Sequence, residues 1–223
     1  MAKPGIGKVM DGIKVRIGIG IAALVGLVLT FLAGQGVSQI PLRVYTIAAT
    51  LAALAFTLWE RYIWKWKPVR YFTGMPLVVG TWRGELLSSY VRPDGSSVPP
   101  IPTAIYVSQS ASKITVTLFT GESKSVTEHA KLINDPDGRW RLSWQYVNTP
   151  RPGVRDRSER HRGAAEVYVG SQPGEGLEGA YFTDRRTDGE LRFPEWSPVR
   201  YGSADSALAA DGFSTATPFV GDK

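Results

Sequence analysis

Residues 177–190, LEGAYFTDRRTDGE, bring an aromatic ring, a hydroxyl and two guanidinium groups close together as Tyr181, Thr183, Arg185 and Arg186. A second stretch, PRPGVRDRSERHRG at 150–163, adds Arg151, Arg155, Arg157, Arg160 and Arg162, with His161 among them. Just ahead of it, RWRLSWQYVN supplies Trp144, Tyr146 and Asn148. Arginine forks donate paired hydrogen bonds to phosphate oxygens, and aromatic faces accept stacked bases. Together these residues suit a nucleotide carrying more than one phosphate. A blander reading stays open beside it, and on these residues alone it is the stronger one. The arginine-rich stretch also holds Asp156 and Glu159 and could be a solvated, salt-bridged loop, while aromatic stripes at strand spacing also build cores.

Competing chemistries find little support. The chain has no cysteine, which excludes disulfides, thiolate metal sites and a cysteine nucleophile. Its two histidines, His129 and His161, cannot complete a three-histidine zinc site. Ser110-Ala-Ser-Lys113 has the S-x-x-K spacing of serine acyltransferases, but it falls at a strand end and its partner motifs are missing. Glu85, Glu166 and Glu178 are isolated, and no phosphate-binding glycine loop appears. The expectation is a binding protein rather than an enzyme, with neither cofactor nor metal.

The elements that must position these residues are strands. Alternating and β-branched stretches at 80–88, 103–110, 114–119, 125–133, 139–147, 163–169, 177–183 and 187–193 are separated by turn chemistry such as Pro93-Asp94-Gly95 and Asp188-Gly189. Such a series predicts a small eight-stranded up-and-down β-barrel, lipocalin-like, because closure removes both sheet edges. Period two turns Trp140, Leu142, Trp144 and Tyr146 inward, with Trp82, Gly84 and Leu86 matching them on the first strand. Tyr181 and Thr183 then reach into the mouth, Gly179 leaves space in the lumen, and Arg185 and Arg186 stand at the rim. Gly80-Thr81-Trp82 at the start of the first strand keeps an alternative open: a membrane-anchored lipocalin-like barrel for a lipid or small apolar ligand, with the arginines left as surface.

Ahead of the barrel lie two apolar runs. Between Arg16 and Arg43 there is no charge, and a second uncharged run from Val44 to Trp59 ends in an aromatic cluster, Trp59, Tyr62, Trp64 and Trp66. A bilayer-spanning helix needs about 20 mostly apolar residues, which predicts transmembrane helices at about 17–36 and 43–64. Lys3, Lys8, Lys14 and Arg16 precede the first and Arg61, Lys65, Lys67 and Arg70 follow the second, so both termini and the barrel are expected on the cytoplasmic side. Small residues along both runs favour close helix packing in lipid. The net charge of +6 fits anionic partners, including lipid headgroups. The expected organisation is a membrane α-helical hairpin plus all-β: residues 1–71 carry the spans and a basic linker, 72–201 the barrel, and 202–223, poor in charge, a disordered tail.

Two spans, a basic linker, then GTWRGEL, RWRLSWQYVN and the G-x-Y-x-T-x-R hairpin from Gly179 resemble one family. It is the bacterial antiphage (CBASS) effector with two transmembrane helices and a minimal β-barrel, also described as the SMODS-associated two-transmembrane, β-strand-rich effector. The resemblance implies a receptor in the bacterial inner membrane for a cyclic di- or oligonucleotide second messenger made by a partner cyclic-oligonucleotide synthase. Ligand would promote homo-oligomers that disrupt the inner membrane and cause abortive infection. No polymeric nucleic acid is expected as partner. The motif implies Tyr181, Thr183 and Arg185 as ligand contacts. Trp144, Tyr146, Asn148, Arg151 and Arg160 come instead from strand period and charge, and Arg186 has no counterpart in the motif.

Overall fold

A computed structural model describes residues 25–26, 42–170 and 175–215, and the chain divides into two units after Val69. In the first unit, helix α1 (Leu42–Arg61) forms where the second apolar run predicts one. Its threonines turn their hydroxyls back on the helix: Thr50 Oγ1 donates to the Thr46 carbonyl at 2.9 Å and Thr57 Oγ1 to that of Ala53 at 2.8 Å. This internal bonding removes polar groups from a helix that exposes Ile47, Leu51, Leu54, Phe56 and Leu58. Among the described residues no helix is long and apolar enough to cross a membrane. Nearly all of the first expected span lies outside them. A single 3₁₀ turn (Ile63–Lys65) leads to α2 (Lys67–Thr73), which Gly74 ends in the left-handed conformation with its N–H on the Arg70 carbonyl.

The second unit is a closed barrel of eight antiparallel strands paired in chain order. They are β1 (Gly80–Ser88), β2 (Ile101–Gln109), β3 (Ile114–Thr120), β4 (Ser123–Asn134), β5 (Trp140–Pro150), β6 (His161–Val169), β7 (Leu177–Thr183) and β8 (Asp188–Ser197). β8 returns to pair with β1, so no strand edge stays open. Closing so small a sheet requires strong coiling, and bulges supply part of it. The register shifts between Arg83 and Glu85 on β1 and between Thr127 and His129 on β4. At the first shift, a Cβ on Gly84 would run into the Arg192 carbonyl. Gly179 serves the same purpose. A Cβ there would meet the Glu166 carbonyl and the Val167 Cα at 2.7 Å, so this glycine admits the neighbouring strand rather than opening the lumen.

Inward alternation, reset where the register shifts on β4 and between β1 and β8, produces two unlike ends. Where β1 begins, Trp82, Ile105, Val107, Leu142, Val167, Leu177, Leu191 and Phe193 are fully buried and fill the interior. The segment before β1 seals that end. Trp82 Nε1 donates to the Val78 carbonyl at 3.1 Å, while Gln109 accepts from the Val78 N–H at 3.0 Å and donates to the Pro76 carbonyl at 3.1 Å. Buried polar groups are thus paired, as burial demands. The apolar-ligand reading of Trp82 needs this volume empty, and side chains occupy it.

The segment after Gly202 corrects the expectation of a disordered tail. Helix α3 (Ala204–Leu208) carries a capping box in which Ser203 and Ser206 satisfy each other's backbone N–H groups. Its small apolar residues, Ala204 and Ala207, are buried, and the helix packs on β1 and β2. Arg83 then holds the chain that follows. It donates to the Leu208 and Ala210 carbonyls at 3.2 and 3.0 Å and lies 4.2 Å from the Phe213 ring centroid, while Ser214 pairs with Trp196. Low charge therefore signals an outer layer over the barrel wall here. Residues 216–223 lie outside the described residues.

Candidate functional site

The other end of the barrel, where β1 finishes, is lined by polar groups. Register alone builds its wall. Ser125 on β4 stands opposite Asn148 on β5, and Asn148 stands opposite His161 on β6. All three are buried. Ser125 Oγ donates to Asn148 Oδ1 at 3.0 Å, and the His161 Nδ1 lies 3.0 Å from the Glu159 carbonyl. One register row away, Tyr146 faces Gly163, which faces Thr183; Tyr181 faces Gly189. The two glycines make room for the two rings. A Cβ on Gly163 would lie 2.5 Å from the Tyr146 Cζ and hydroxyl, and one on Gly189 would lie 2.8 Å from a Tyr181 ring carbon.

Above this wall stands the β7–β8 turn. Thr183 N–H donates to the Thr187 carbonyl at 2.8 Å and Arg186 N–H to the Thr183 carbonyl at 3.1 Å, closing a three-residue loop with Arg186 left-handed at φ 60°. Backbone and side-chain bonds between Asp184 and Arg162, both 3.0 Å, tie the turn to β6. The turn therefore fixes where Arg185 sits. Its guanidinium reaches Ser158 Oγ at 3.4 Å, and its charge acts on Tyr146, Tyr181 and His161 alike.

Protonation states follow from burial. Burial is the largest influence on Tyr146 and pushes its hydroxyl well above the ordinary phenol range, with the neighbouring Tyr181 adding to it. Tyr181 is raised chiefly by burial, against a hydrogen bond from Ser88. Burial lowers His161, opposed by the Glu159 carbonyl. At neutral pH the cup thus presents neutral hydroxyls, an amide and a neutral imidazole beneath a fixed cation. Such a wall suits an uncharged heterocycle, and the rim suits phosphate.

Sequence and structure part at several positions. Tyr146, Asn148 and Tyr181 point inward beside Thr183 and Arg185, as period two predicts. Trp144 does not line the mouth: it is 2% exposed inside the apolar core, and its Nε1 has no partner among the described residues. Arg151 turns away to an ion pair with Asp205 of α3 at 3.1 Å. Arg157 and Arg162 pair with Glu122 and Glu128, which is the salt-bridged surface reading of that loop. Arg160 and Arg186 are exposed and make no ion pair among the described residues. His161 and Ser125 were missed as site residues. Starting β6 at Gly163 left His161 in the loop, although it alternates in phase with Gly163 and Ala165.

The Ser110–Lys113 stretch is the β2–β3 turn. Ser110 Oγ accepts the Lys113 N–H at 3.1 Å, so the hydroxyl serves the turn.

Comparison with known proteins bears on the barrel as a whole. The model of the Cap15 cyclic dinucleotide receptor domain matches residues 73–195, which takes in all of β1 to β7 and most of β8. The chain is also 25% identical over 148 residues to CD-NTase-associated protein 15 of Staphylococcus schleiferi, covering 66% of this chain and 75% of that one. With the barrel, its polar mouth and a match over more than half of its length, the chain belongs to the Cap15 cyclic dinucleotide receptor family.

Proposed function

We propose that the polar mouth is where this receptor binds its cyclic dinucleotide, and that the N-terminal segment holds the barrel at the bacterial inner membrane. The observation that carries the site is Arg185, positioned by the β7–β8 turn over the inward hydroxyls of Tyr146 and Tyr181 and beside His161. Phosphates meet the Arg185 guanidinium, with the exposed Arg160 and Arg186 adding charge, and bases enter against the tyrosine rings. Thr183, bonded to Thr187 at 2.7 Å, shapes the rim between them.

The relative's name associates it with a CD-NTase. A cyclic-oligonucleotide synthase is accordingly the functional partner proposed here. Support for membrane attachment is the apolar character of 17–36 and α1 between clusters of basic residues. Bound ligand favours homo-oligomers, and the assembled N-terminal segments disrupt the bilayer and end the infected cell. Ligand can drive that assembly only by its differential affinity for the assembled state, so it either touches two protomers or reshapes the surface that pairs them.

Calorimetry with the full chain in detergent tests the site. Cyclic dinucleotides give saturable heats with wild type, and Arg185→Ala weakens binding about tenfold or more, the loss of a charge-assisted bond worth about 1.5–3 kcal/mol. Because Arg185 is exposed, the variant melts with wild type. Unchanged affinity in Arg185→Ala removes the mouth from the account.

A further inference from the structure

Two polar atoms at the mouth have unused hydrogen-bonding capacity. The Glu159 carbonyl can only accept, so the His161 Nδ1 beside it at 3.0 Å carries the ring proton. The Asn148 Nδ2 lies 3.5 Å from that same nitrogen. Both are then donors, and neither can bond the other. Asn148 Oδ1 is already taken by Ser125. The amide N–H groups of Asn148 are left without an acceptor, and the His161 Nε2 is left as a bare lone pair with no bond among the described residues. Asn148 is 6% and His161 9% exposed, which places both side chains in the inner wall rather than on the rim. A donor and an acceptor side by side on the inner wall match a nucleobase edge on which an acceptor stands beside a donor, as adenine's N7 stands beside its N6 amino group, and not the edge of a base that presents two acceptors.

We propose that Asn148 and His161 read one edge of a nucleobase, Asn148 Nδ2 donating and His161 Nε2 accepting, and that His161 must be neutral to do so. This rests on the mouth being the ligand site and adds its specificity: the base is selected by the inner wall, while the arginines hold phosphate. The charges acting on His161, Arg185 and Asp184, both come from the β7–β8 turn; β5 presents uncharged Asn148 and β4 uncharged Ser125. Burial and Arg185 disfavour the imidazolium. The neutral form therefore persists to a pH below the ordinary histidine value of about 6.5, and binding is lost as pH falls through the lowered value. A histidine that contacted phosphate would behave the opposite way, tightening on protonation.

The test is calorimetry with the full chain between pH 5 and 8, using whichever of cyclic di-AMP, cyclic di-GMP and cyclic UMP–AMP binds tightest at neutral pH. Wild type weakens about tenfold on acidification. His161→Phe, which has no acceptor, loses about tenfold at neutral pH while its melting curve shows it folded. His161→Gln restores most of that loss and flattens the pH profile, since its amide oxygen accepts without titrating. Asn148→Ala narrows the affinity differences among the three nucleotides. Binding that tightens in acid, or His161→Phe binding like wild type, overturns the base-edge reading and leaves the receptor site intact. Absence of binding by wild type at every pH overturns both.

Discussion

The two ends of this barrel are built by the same strands in the same alternation and do opposite things. At the end where β1 begins, inward positions hold Trp82, Leu142, Leu177 and Phe193, and the preceding segment seals them with paired backbone groups. At the end where β1 finishes, inward positions hold Ser125, Tyr146, Asn148, His161, Tyr181 and Thr183, and a charged turn overhangs them. Alternation decides only that a residue faces in. What it meets there depends on position along the strand. Stability is concentrated at one end, which lets the other keep polar groups that a fully packed core could not accommodate.

Breaking that contrast at the sealed end has the largest effect. Trp82→Ala removes a fully buried indole and costs about 3–5 kcal/mol, read as a lower denaturant midpoint, with ligand binding lost only through unfolding. At the mouth, Gly163→Ala presses a methyl group on the Tyr146 ring and the Phe182 carbonyl and costs about 1–3 kcal/mol. Binding falls by more than that stability loss explains, because the ring is pushed into the cup; calorimetry beside a melting curve separates the two.

Smaller changes sharpen the comparison at the rim. Arg186→Gly raises stability by about 0.5 kcal/mol, the left-handed penalty of about 1–2 kcal/mol less glycine's extra chain entropy of about 0.5–1. If it also weakens ligand binding, that strained position is retained for charge. Arg151→Ala, which breaks an exposed pair with Asp205, changes stability by no more than about 0.5 kcal/mol and leaves ligand affinity within about threefold. A tenfold loss of affinity there would return the guanidinium to the mouth and contradict the pairing.

All eight strands were legible because alternation and β-branched content mark them and turn chemistry separates most of them. The misses arise where physics beyond those signals decides. Trp144 and Tyr146 share one face and are both buried, yet only Tyr146 lies in the row next to the polar wall, since strand tilt in a closed barrel sets depth and leaves no trace in alternation. Gly179 was read as lumen space because its inward phase is visible in sequence, whereas the close approach of β6 is not. Charge marks the arginine loop as anion-seeking but does not assign its partners, and Glu122, Glu128 and Asp205 come from distant elements. A start for β6 two residues late hid His161. After Gly202, short residues with little charge read as disorder because their burial depends on Arg83 and Phe213, which are brought together only by the fold.

The central claim is that ligand enters by the polar end and leaves the sealed end untouched. Hydrogen–deuterium exchange on the full chain, with and without a saturating cyclic dinucleotide, tests it most directly. Added protection at 146–163 and 181–189, with none at 75–82 or 105–116, is the predicted result. Protection centred on 75–82 and 105–116, with the arginine-bearing turns unchanged, would contradict it.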